Sequence, residues 1–426
     1  MWTTAHRGRA AAVALMAAGL VLLATATHFV GLAAASNDPL FARQWNLAQV
    51  GAPDAWSRST GKDVLIGVVD TGVDLSHPDL AGKVVGNANC IGATCRDGGG
   101  QDDNGHGTEV SGIAAALTGN GKGVAGVAPD AKLLVAKALD SSGAGRVDDI
   151  NAGIRWVVDH GAKVVNLSLG DEDFQLTSLV GTPLRPGIEY AWTRGAVPVL
   201  ASGNYRMGLV EMGSANYGDV DALVVGATTR ANTLANYSTS IGNAKWGLAA
   251  PGGSGQPGTP DDQIITTALG GGYTAVAGTS AAAPHVAGAV ADLLAEGLSA
   301  TAAVSRVLAT LDTSVPCGNG CQGRLDLRAA TAPGATPAPA PTVAVARPGT
   351  TERGRPATSI AAPTTAGATT TSIPLVSAGH HQSASGATGG GGRNPVVVGL
   401  AIVLAVAAAG ATGGVWLTRL RADGGW

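Results

Sequence analysis

Between residues 36 and 330, short runs of apolar residues alternate with stretches in which apolar residues recur at helical spacing. The strand-like runs lie at 64–69, 132–136, 164–169, 197–201 and 223–225. The helical stretches lie between or after them, at 107–117, 148–160 and 188–194. Continuous apolar strands that alternate with helices are typical of a parallel sheet covered on both faces. The pattern therefore predicts a three-layer α/β fold with a mostly parallel central sheet.

Both ends of the chain carry apolar stretches of another kind. Two arginines precede an uncharged run at 10–26, and small-residue cleavage patterns end at Ala26 and Ala35, which predicts a secretion signal at 1–35. The alternative is an uncleaved anchor, which the shortness of the run disfavours. Near the C-terminus, an uncharged run of 22 residues is long enough to cross a bilayer, and arginines follow at once. We expect a transmembrane helix at 396–418, a cytoplasmic tail at 419–426 and the large domain outside the cell membrane.

The stretch 331–395 is rich in proline, alanine, threonine, glycine and serine and contains few large apolar residues. Such a composition cannot bury a core, so the sequence predicts a disordered linker here. The folded domain is then expected to cover residues 36–330.

Charge and cysteine content narrow the possible partners and the compartment. The net charge of -3 over 426 residues argues against nucleic acid as a partner. The four cysteines form two local pairs, Cys90 with Cys95 and Cys317 with Cys321. In an exported chain these pairs predict disulfides. A metal site is the weaker alternative, because the Cys-x-x-Cys spacing is absent.

Four polar residues occupy positions where an α/β fold places its chemistry. Asp70 closes a predicted strand, His106 and Ser280 each open a predicted helix, and Asn204 follows a strand. A serine hydroxyl is a weak nucleophile and needs a neighbouring base, which His106 can provide while Asp70 orients its ring. Asn204 and the Ser280 N–H can donate hydrogen bonds to a developing oxyanion. The alternative role for Ser280 is that of a helix cap, but the three motifs together, in the order Asp, His, Ser, favour catalysis.

Residues 37–331 resemble the subtilisin (S8) family of serine endopeptidases, most closely its thermitase-like branch. The matching stretches are DTGV at 70–73, HPDL at 77–80, GHGT at 105–108, VAGVAP at 124–129, LSLG at 167–170, ASGN at 201–204, APG at 250–252 and GTS at 278–280. The resemblance implies peptide-bond hydrolysis through an acyl-enzyme, without a cofactor for catalysis. It also implies the triad of Asp70, His106 and Ser280, with Asn204 in the oxyanion hole.

The same resemblance implies two binding regions. An extended peptide substrate is expected to pair with the backbone at Ser168, Leu169 and Gly170 and around Gly143. A structural calcium ion is the second expectation, because the side chains and carbonyl groups of one loop and two acidic residues match a calcium site of the family. The expected ligands are Asp38, Asp79, Leu117, Asn120, Lys122 and Val124.

The overall order of signal, peptidase domain, proline-rich linker and terminal span is similar to that of mycosins, the membrane-anchored subtilases of type VII secretion. This similarity predicts secretion-system partners besides protein or peptide substrates. One departure from the family pattern is Glu109, where a second histidine usually follows the GHGT motif. A carboxylate at this position is expected to raise the pKa of His106.

Two other functions compete with endopeptidase activity. The first is a non-catalytic docking or assembly subunit that retains the fold, which the intact triad disfavours. The second is an esterase or acyltransferase, which is less favoured because the Gly-x-Ser-x-Gly motif is absent. The sequence does not predict the natural substrate or the cleavage specificity.

Overall fold

A computed structural model describes residues 36–169, 183–204 and 218–335, together with the backbone of 375–377. The predicted signal (1–35), transmembrane helix (396–418) and cytoplasmic tail (419–426) lie outside these residues. Among the helices of the described part, none has both the length and the apolar character that a bilayer span requires.

The centre of the fold is a sheet of eight strands. In chain order these are β1 (Leu65–Asp70), β2 (Val84–Asn89), β3 (Arg96–Asp97), β4 (Lys132–Lys137), β6 (Val164–Leu167), β7 (Val197–Ala201), β8 (Leu223–Thr228) and β9 (Trp246–Pro251). The spatial order is β3-β2-β4-β1-β6-β7-β8-β9, and every pairing except that of β3 is parallel. The prediction of a mostly parallel central sheet in an α/β fold is therefore confirmed.

The helices cover both faces of this sheet. They are α1 (Trp45–Val50), α2 (Ala52–Ala55), α3 (His106–Ala115), α4 (Val147–Asp159), α5 (Arg185–Thr193), α6 (Thr279–Ala295), α7 (Ala300–Ala309) and α8 (Leu327–Ala330). Two large apolar clusters result, one of them built mainly around α6 and the other around α4 and α5. Helix α6 is made mostly of alanine, glycine and valine and is buried along most of its length, so small side chains let it pack closely against the sheet.

The sequence pattern missed seven of the strands, four of which are β2, β9, β10 (Ile264–Ala268) and β11 (Gly272–Val276). β2 is half-exposed and contains glycine and asparagine, so it does not form an apolar run. β9 is fully buried but consists largely of glycine and alanine. β10 and β11 form a separate antiparallel hairpin.

Two short strands lie apart from these sheets. β5 (Ala144–Arg146) pairs antiparallel with β12 (Leu375–Ser377). β12 lies within the stretch 331–395, so the prediction of a disordered linker is wrong at these three residues. Valine favours an extended strand, and the segment pairs here with the edge of β5.

Both disulfides are present, Cys90–Cys95 and Cys317–Cys321, and the described residues include no free cysteine. The prediction of two local disulfides is confirmed.

Candidate active site

Asp70 ends the strand β1, which lies between β4 and β6 in the middle of the sheet. Its side chain is fully buried. The Oδ1 atom accepts a hydrogen bond from the Thr71 N–H at 2.7 Å and lies 2.7 Å from Nδ1 of His106. This contact fixes the orientation of the imidazole ring, and Nε2 is the nitrogen on its other side.

His106 is the first residue of α3, and its approach to Asp70 depends on Gly107. A Cβ atom at position 107 would lie 1.9 Å from the carbonyl oxygen of Gly72, just beyond the end of β1. Only glycine therefore lets the start of the helix reach the end of the strand. The resulting pair of side chains is almost completely shielded from solvent.

Burial and charge act in opposite directions on His106. Burial, the largest single influence, lowers the pKa of the imidazole. Attraction to Asp70 and the hydrogen bond with it, together with the charges of Glu109 and Asp102, outweigh burial and raise this pKa above its ordinary value. The ring is thus held where a proton is readily accepted.

Asp102 organises the loop before α3, a role that the sequence analysis missed. Its carboxylate accepts hydrogen bonds from the N–H groups of Asn104 and Gly105 and from the N–H and hydroxyl of Thr108, at 2.6 to 3.0 Å. It also accepts one from the hydroxyl of Thr71, which ties the loop to the end of β1. Burial raises the pKa of Asp102, but these hydrogen bonds outweigh it and lower the pKa overall. The sequence signal that could have revealed this role is the presence of an acidic residue four positions before His106.

Ser280 lies in the first turn of α6 and is 2% exposed. The hydroxyl of Ser168 donates a hydrogen bond of 2.8 Å to the carbonyl oxygen of Ser280. A Cβ atom at Gly278 would lie only 2.8 Å from Ser280 Oγ and 3.2 Å from Asn204 Nδ2. A side chain at position 278 would therefore crowd the serine hydroxyl and the Asn204 amide, which lie beside the same point.

Asn204 follows β7 and is anchored through its oxygen atom. Its Oδ1 accepts hydrogen bonds from the N–H of Thr279 at 2.8 Å and from the hydroxyl of the same residue at 2.9 Å. Because the oxygen end is held in this way, the nitrogen end is the donor that Asn204 presents on the side of Gly278. The structure thus brings Asn204 to the start of α6.

The described residues include three of the four predicted substrate-binding residues, Ser168, Leu169 and Gly143. Ser168 and Leu169 follow β6 and are buried. Gly143 ends the turn before β5, where its positive φ of 81° suits a glycine, and its N–H donates to the carbonyl of Asp140. Gly170 lies outside the described residues.

Glu109 lies one helical turn after Gly105, in the same helix as His106. Burial is the main reason that its pKa rises to about 7; His106 lowers this pKa, while Asp102 and Asp70 raise it. As expected from the sequence, the charge of Glu109 is one of the influences that raise the pKa of His106.

A second histidine, His285, was missed because it sits inside an apolar helical pattern. It is fully buried in α6, and burial lowers its pKa to about 4. One ring nitrogen lies 2.9 Å from the carbonyl of Ala281 and the other 2.8 Å from the Asn46 amide nitrogen. A neutral ring satisfies both contacts, so His285 and Asn46 fix the helix directly after Ser280.

The expected calcium ligands converge on the loop that follows α3. Asp38 accepts hydrogen bonds from the N–H groups of Gly119, Asn120 and Gly121, at 2.8 to 3.1 Å. Asp79 accepts one from Asn120 Nδ2 and one from the N–H of Val124, both at 2.9 Å. In the described part of the chain, no group of three or more histidine, cysteine, aspartate or glutamate side chains is arranged to hold a metal ion.

These contacts decide how well the loop fits a cation. Calcium requires oxygen ligands, yet Asn120 presents its nitrogen to Asp79, while its Oδ1 accepts a hydrogen bond from the Lys122 N–H at 2.8 Å. The carbonyl groups of Leu117, Lys122 and Val124 complete the all-oxygen set that the sequence offers. The residues therefore fit calcium only if the Asn120 amide turns.

Comparison with known proteins agrees with this fold and site. The subtilase family pattern matches residues 61–324, more than half of the chain. Thermitase from Thermoactinomyces vulgaris is 38% identical over 268 residues, which cover 62% of this chain and 87% of thermitase. Subtilisin Savinase from Lederbergia lenta is 39% identical over 248 residues, which cover 58% of this chain and 82% of that protein. A solved structure of a protease from Pseudoalteromonas arctica aligns with a TM-score of 0.59 at 27% identity, over 70% of this chain and 99% of the other.

The fold and these similarities define a hydrolase that cleaves peptide bonds. The chain belongs to the subtilase family and is a serine-type endopeptidase. The family resemblance predicted from the sequence motifs is confirmed, whereas the similarity to mycosins stays a prediction.

Proposed function

We propose that this subtilase cleaves its substrates with Asp70, His106 and Ser280 as the catalytic triad. Ser280 Oγ bonds to the substrate carbonyl carbon while its proton passes to His106 Nε2. The C–N bond then breaks, and the same proton passes to the leaving amine, which yields an acyl-enzyme. Water repeats the sequence and releases the second product. The observation that carries the proposal is the buried 2.7 Å contact between His106 Nδ1 and Asp70 Oδ1.

The oxyanion is assigned to two donors in this proposal. As the carbonyl oxygen becomes negative, the Asn204 amide nitrogen and the Ser280 N–H donate to it. Support comes from the anchoring of Asn204 Oδ1 by Thr279, which directs the amide nitrogen away from that residue. A donor held in place before the reaction stabilises the transition state without reorganisation.

An active-site-directed fluorophosphonate provides the direct test. We expect the wild type to be labelled at Ser280 and the Ser280→Ala variant to be neither labelled nor active. Asn204→Ala is expected to lower kcat about 10² to 10³-fold with little change in KM, because the lost bond forms mainly in the transition state. A wild-type chain that is neither labelled nor active would favour the docking or assembly role instead.

We also propose that the peptidase domain is exported and tethered to the cell membrane by 396–418, with protein or peptide substrates outside the cytoplasm and with secretion-system partners. This part rests on the sequence alone. A flexible linker of about 65 residues would have an r.m.s. reach of about 45 Å. Protease added to intact cells should release the catalytic domain; protection of the domain would contradict this orientation.

A structural calcium ion, held by the loop with Asp38, Asp79 and Asn120, is the remaining proposal. Calcium is expected to raise the Tm of the wild type but not that of Asn120→Ala. Removing Asp38 is not a useful test, because its carboxylate also accepts three backbone N–H groups, and their loss would lower the Tm by itself. An identical wild-type Tm in calcium and in chelator would contradict the proposal.

A further inference from the structure

Strand β5 is attached to the two residues of the buried Asp70–His106 pair. The carbonyl of Asp70 accepts hydrogen bonds from the N–H groups of residues 138 and 139, at 2.8 and 3.1 Å. The chain then turns, and the Asp140 N–H donates to the carbonyl of Ala144, the first residue of β5.

A second link runs to the start of α3. Asn104 Nδ2 donates to the carbonyl of Ser141 at 3.2 Å, and Asn104 Oδ1 accepts from the N–H of His106, also at 3.2 Å. The turn that carries β5 is thus fixed to both members of the pair.

The only strand partner of β5 within the described ranges is β12. The two strands are antiparallel, with Leu375 opposite Arg146, Val376 opposite Gly145 and Ser377 opposite Ala144. An unpaired strand edge presents backbone N–H and C=O groups to which an extended peptide adds as a further strand. The pairing with β12 is an instance of such an addition by a segment of the same chain.

We infer that the segment containing Leu375–Ser377 docks on β5 and competes with extended peptide substrates for this edge beside the catalytic residues. The inference rests on the proposed function in one respect: the peptide substrate is taken to bind at the edge of β5. The occupant is part of the linker, so the intact chain carries its own competitor.

The length of the connecting chain makes this competition effective but reversible. Thirty-nine residues, 336–374, separate the last described residue of the main part from β12. A random coil of 39 residues would have an r.m.s. span of about 35 Å, which corresponds to an effective concentration in the millimolar range. A strand of three residues offers few hydrogen bonds, so substrate can displace it.

Proline substitution in the full-length chain tests the docking. Proline lacks the N–H that a ladder needs, so replacing Leu375, Val376 and Ser377 together removes every donor, whichever of them faces β5. We expect KM for a peptide substrate to fall roughly 3- to 10-fold while kcat stays unchanged, as for the loss of a competitive inhibitor. The matched control replaces Thr364, Thr365 and Ala366 with proline and should retain the wild-type KM. Equal KM values in the wild type and both variants would overturn the inference.

A binding assay separates this inference from the proposed function. A labelled synthetic peptide of residues 371–380 is added to inactive Ser280→Ala chains, and its fluorescence anisotropy is measured. It should bind more tightly to the chain that also carries the three prolines at 375–377 than to the chain with the native segment. Equal binding to both, or no binding to either, would contradict the docking. The absence of fluorophosphonate labelling in wild-type protein would instead contradict the proposed function alone.

Discussion

Two buried carboxyl groups, Asp70 and Asp292, lie in opposite electrostatic surroundings within one domain. Asp70 accepts a hydrogen bond from the Thr71 N–H and contacts the imidazole of His106. Asp292 lies in α6, the same helix that begins beside Ser280, and is fully buried. Neither of its carboxyl oxygens has a hydrogen-bond partner among the described residues. The backbone carbonyl of Asp292 does accept a bond from the Ser59 hydroxyl.

Two equally buried carboxyl groups thus differ in their effect because their hydrogen-bonding and charged neighbours differ. Attraction to Asp70 helps to raise the pKa of His106, so that carboxyl group acts on the site chemistry. Burial, with repulsion from Glu296 and Asp130, raises the pKa of Asp292 well above its ordinary value. Burial and repulsion therefore favour the neutral form of the Asp292 side chain, which contributes an unsatisfied polar group to the core.

The strongest test of this contrast removes the charge of the partnered acid. Asp70→Asn keeps the shape of the side chain but cannot stabilise an imidazolium and favours the wrong tautomer of His106. We expect kcat to fall about 10⁴-fold, measured with a chromogenic peptide. Asp103→Asn, an exposed acid in the same region that pairs with Lys137, is the matched control and should stay within a few-fold of wild type. A loss below tenfold for Asp70→Asn would show that the pair is not catalytic.

Replacing the unpartnered acid tests the other half of the comparison. Because the folded-state pKa of Asp292 is raised, its contribution favours folding below the unfolded pKa of about 4 and is lost as pH rises toward the folded value. Relative to wild type, Asp292→Asn should gain unfolding free energy with increasing pH, at a slope of up to about 1.4 kcal/mol per pH unit. Urea unfolding between pH 4 and 8 measures this difference.

The control for that experiment is Asp148→Asn, which changes an exposed acid at the start of α4. Its stability relative to wild type should vary much less with pH. If Asp292→Asn also runs parallel to wild type across this range, the buried carboxyl has a partner or is ionised in the folded state.

The same distinction explains which parts of the site were predictable. Asp70, His106 and Ser280 stand at ends of elements that apolar periodicity marks, so the sequence predicted them and the sheet that holds them. Asp102 and Asn46 act through contacts between distant or irregular segments, which leave no periodic signal. The sequence did not reveal Asp292 for a related reason: a single acid in an alanine-rich helix does not disturb the apolar periodicity of that helix.

The smallest expected effect concerns Glu109, whose surroundings are intermediate between those of Asp70 and Asp292. Its charge helps to raise the pKa of His106, so Glu109→Gln should lower that pKa. Neutral His106 is the base, and the acid limb of the kcat/KM profile should therefore move to lower pH. The shift should be less than about one pH unit, because Asp70 remains the dominant charge.

The shape of the profile provides a second readout. Burial raises the pKa of Glu109 to about 7, and the charges of Glu109 and His106 act on each other, so protonation of the two groups is coupled. The wild-type acid limb should therefore be shallower than that of a single group. In Glu109→Gln only one group remains, and the limb should steepen to a one-proton curve. Glu189→Gln, an exposed acid paired with Arg185 in α5, serves as the control and should leave position and slope unchanged. An acid limb that stays in place or moves to higher pH in Glu109→Gln would mean that the Glu109 carboxylate does not raise the pKa of His106. Of these two acids, Asp70 alone would then set the basicity of His106.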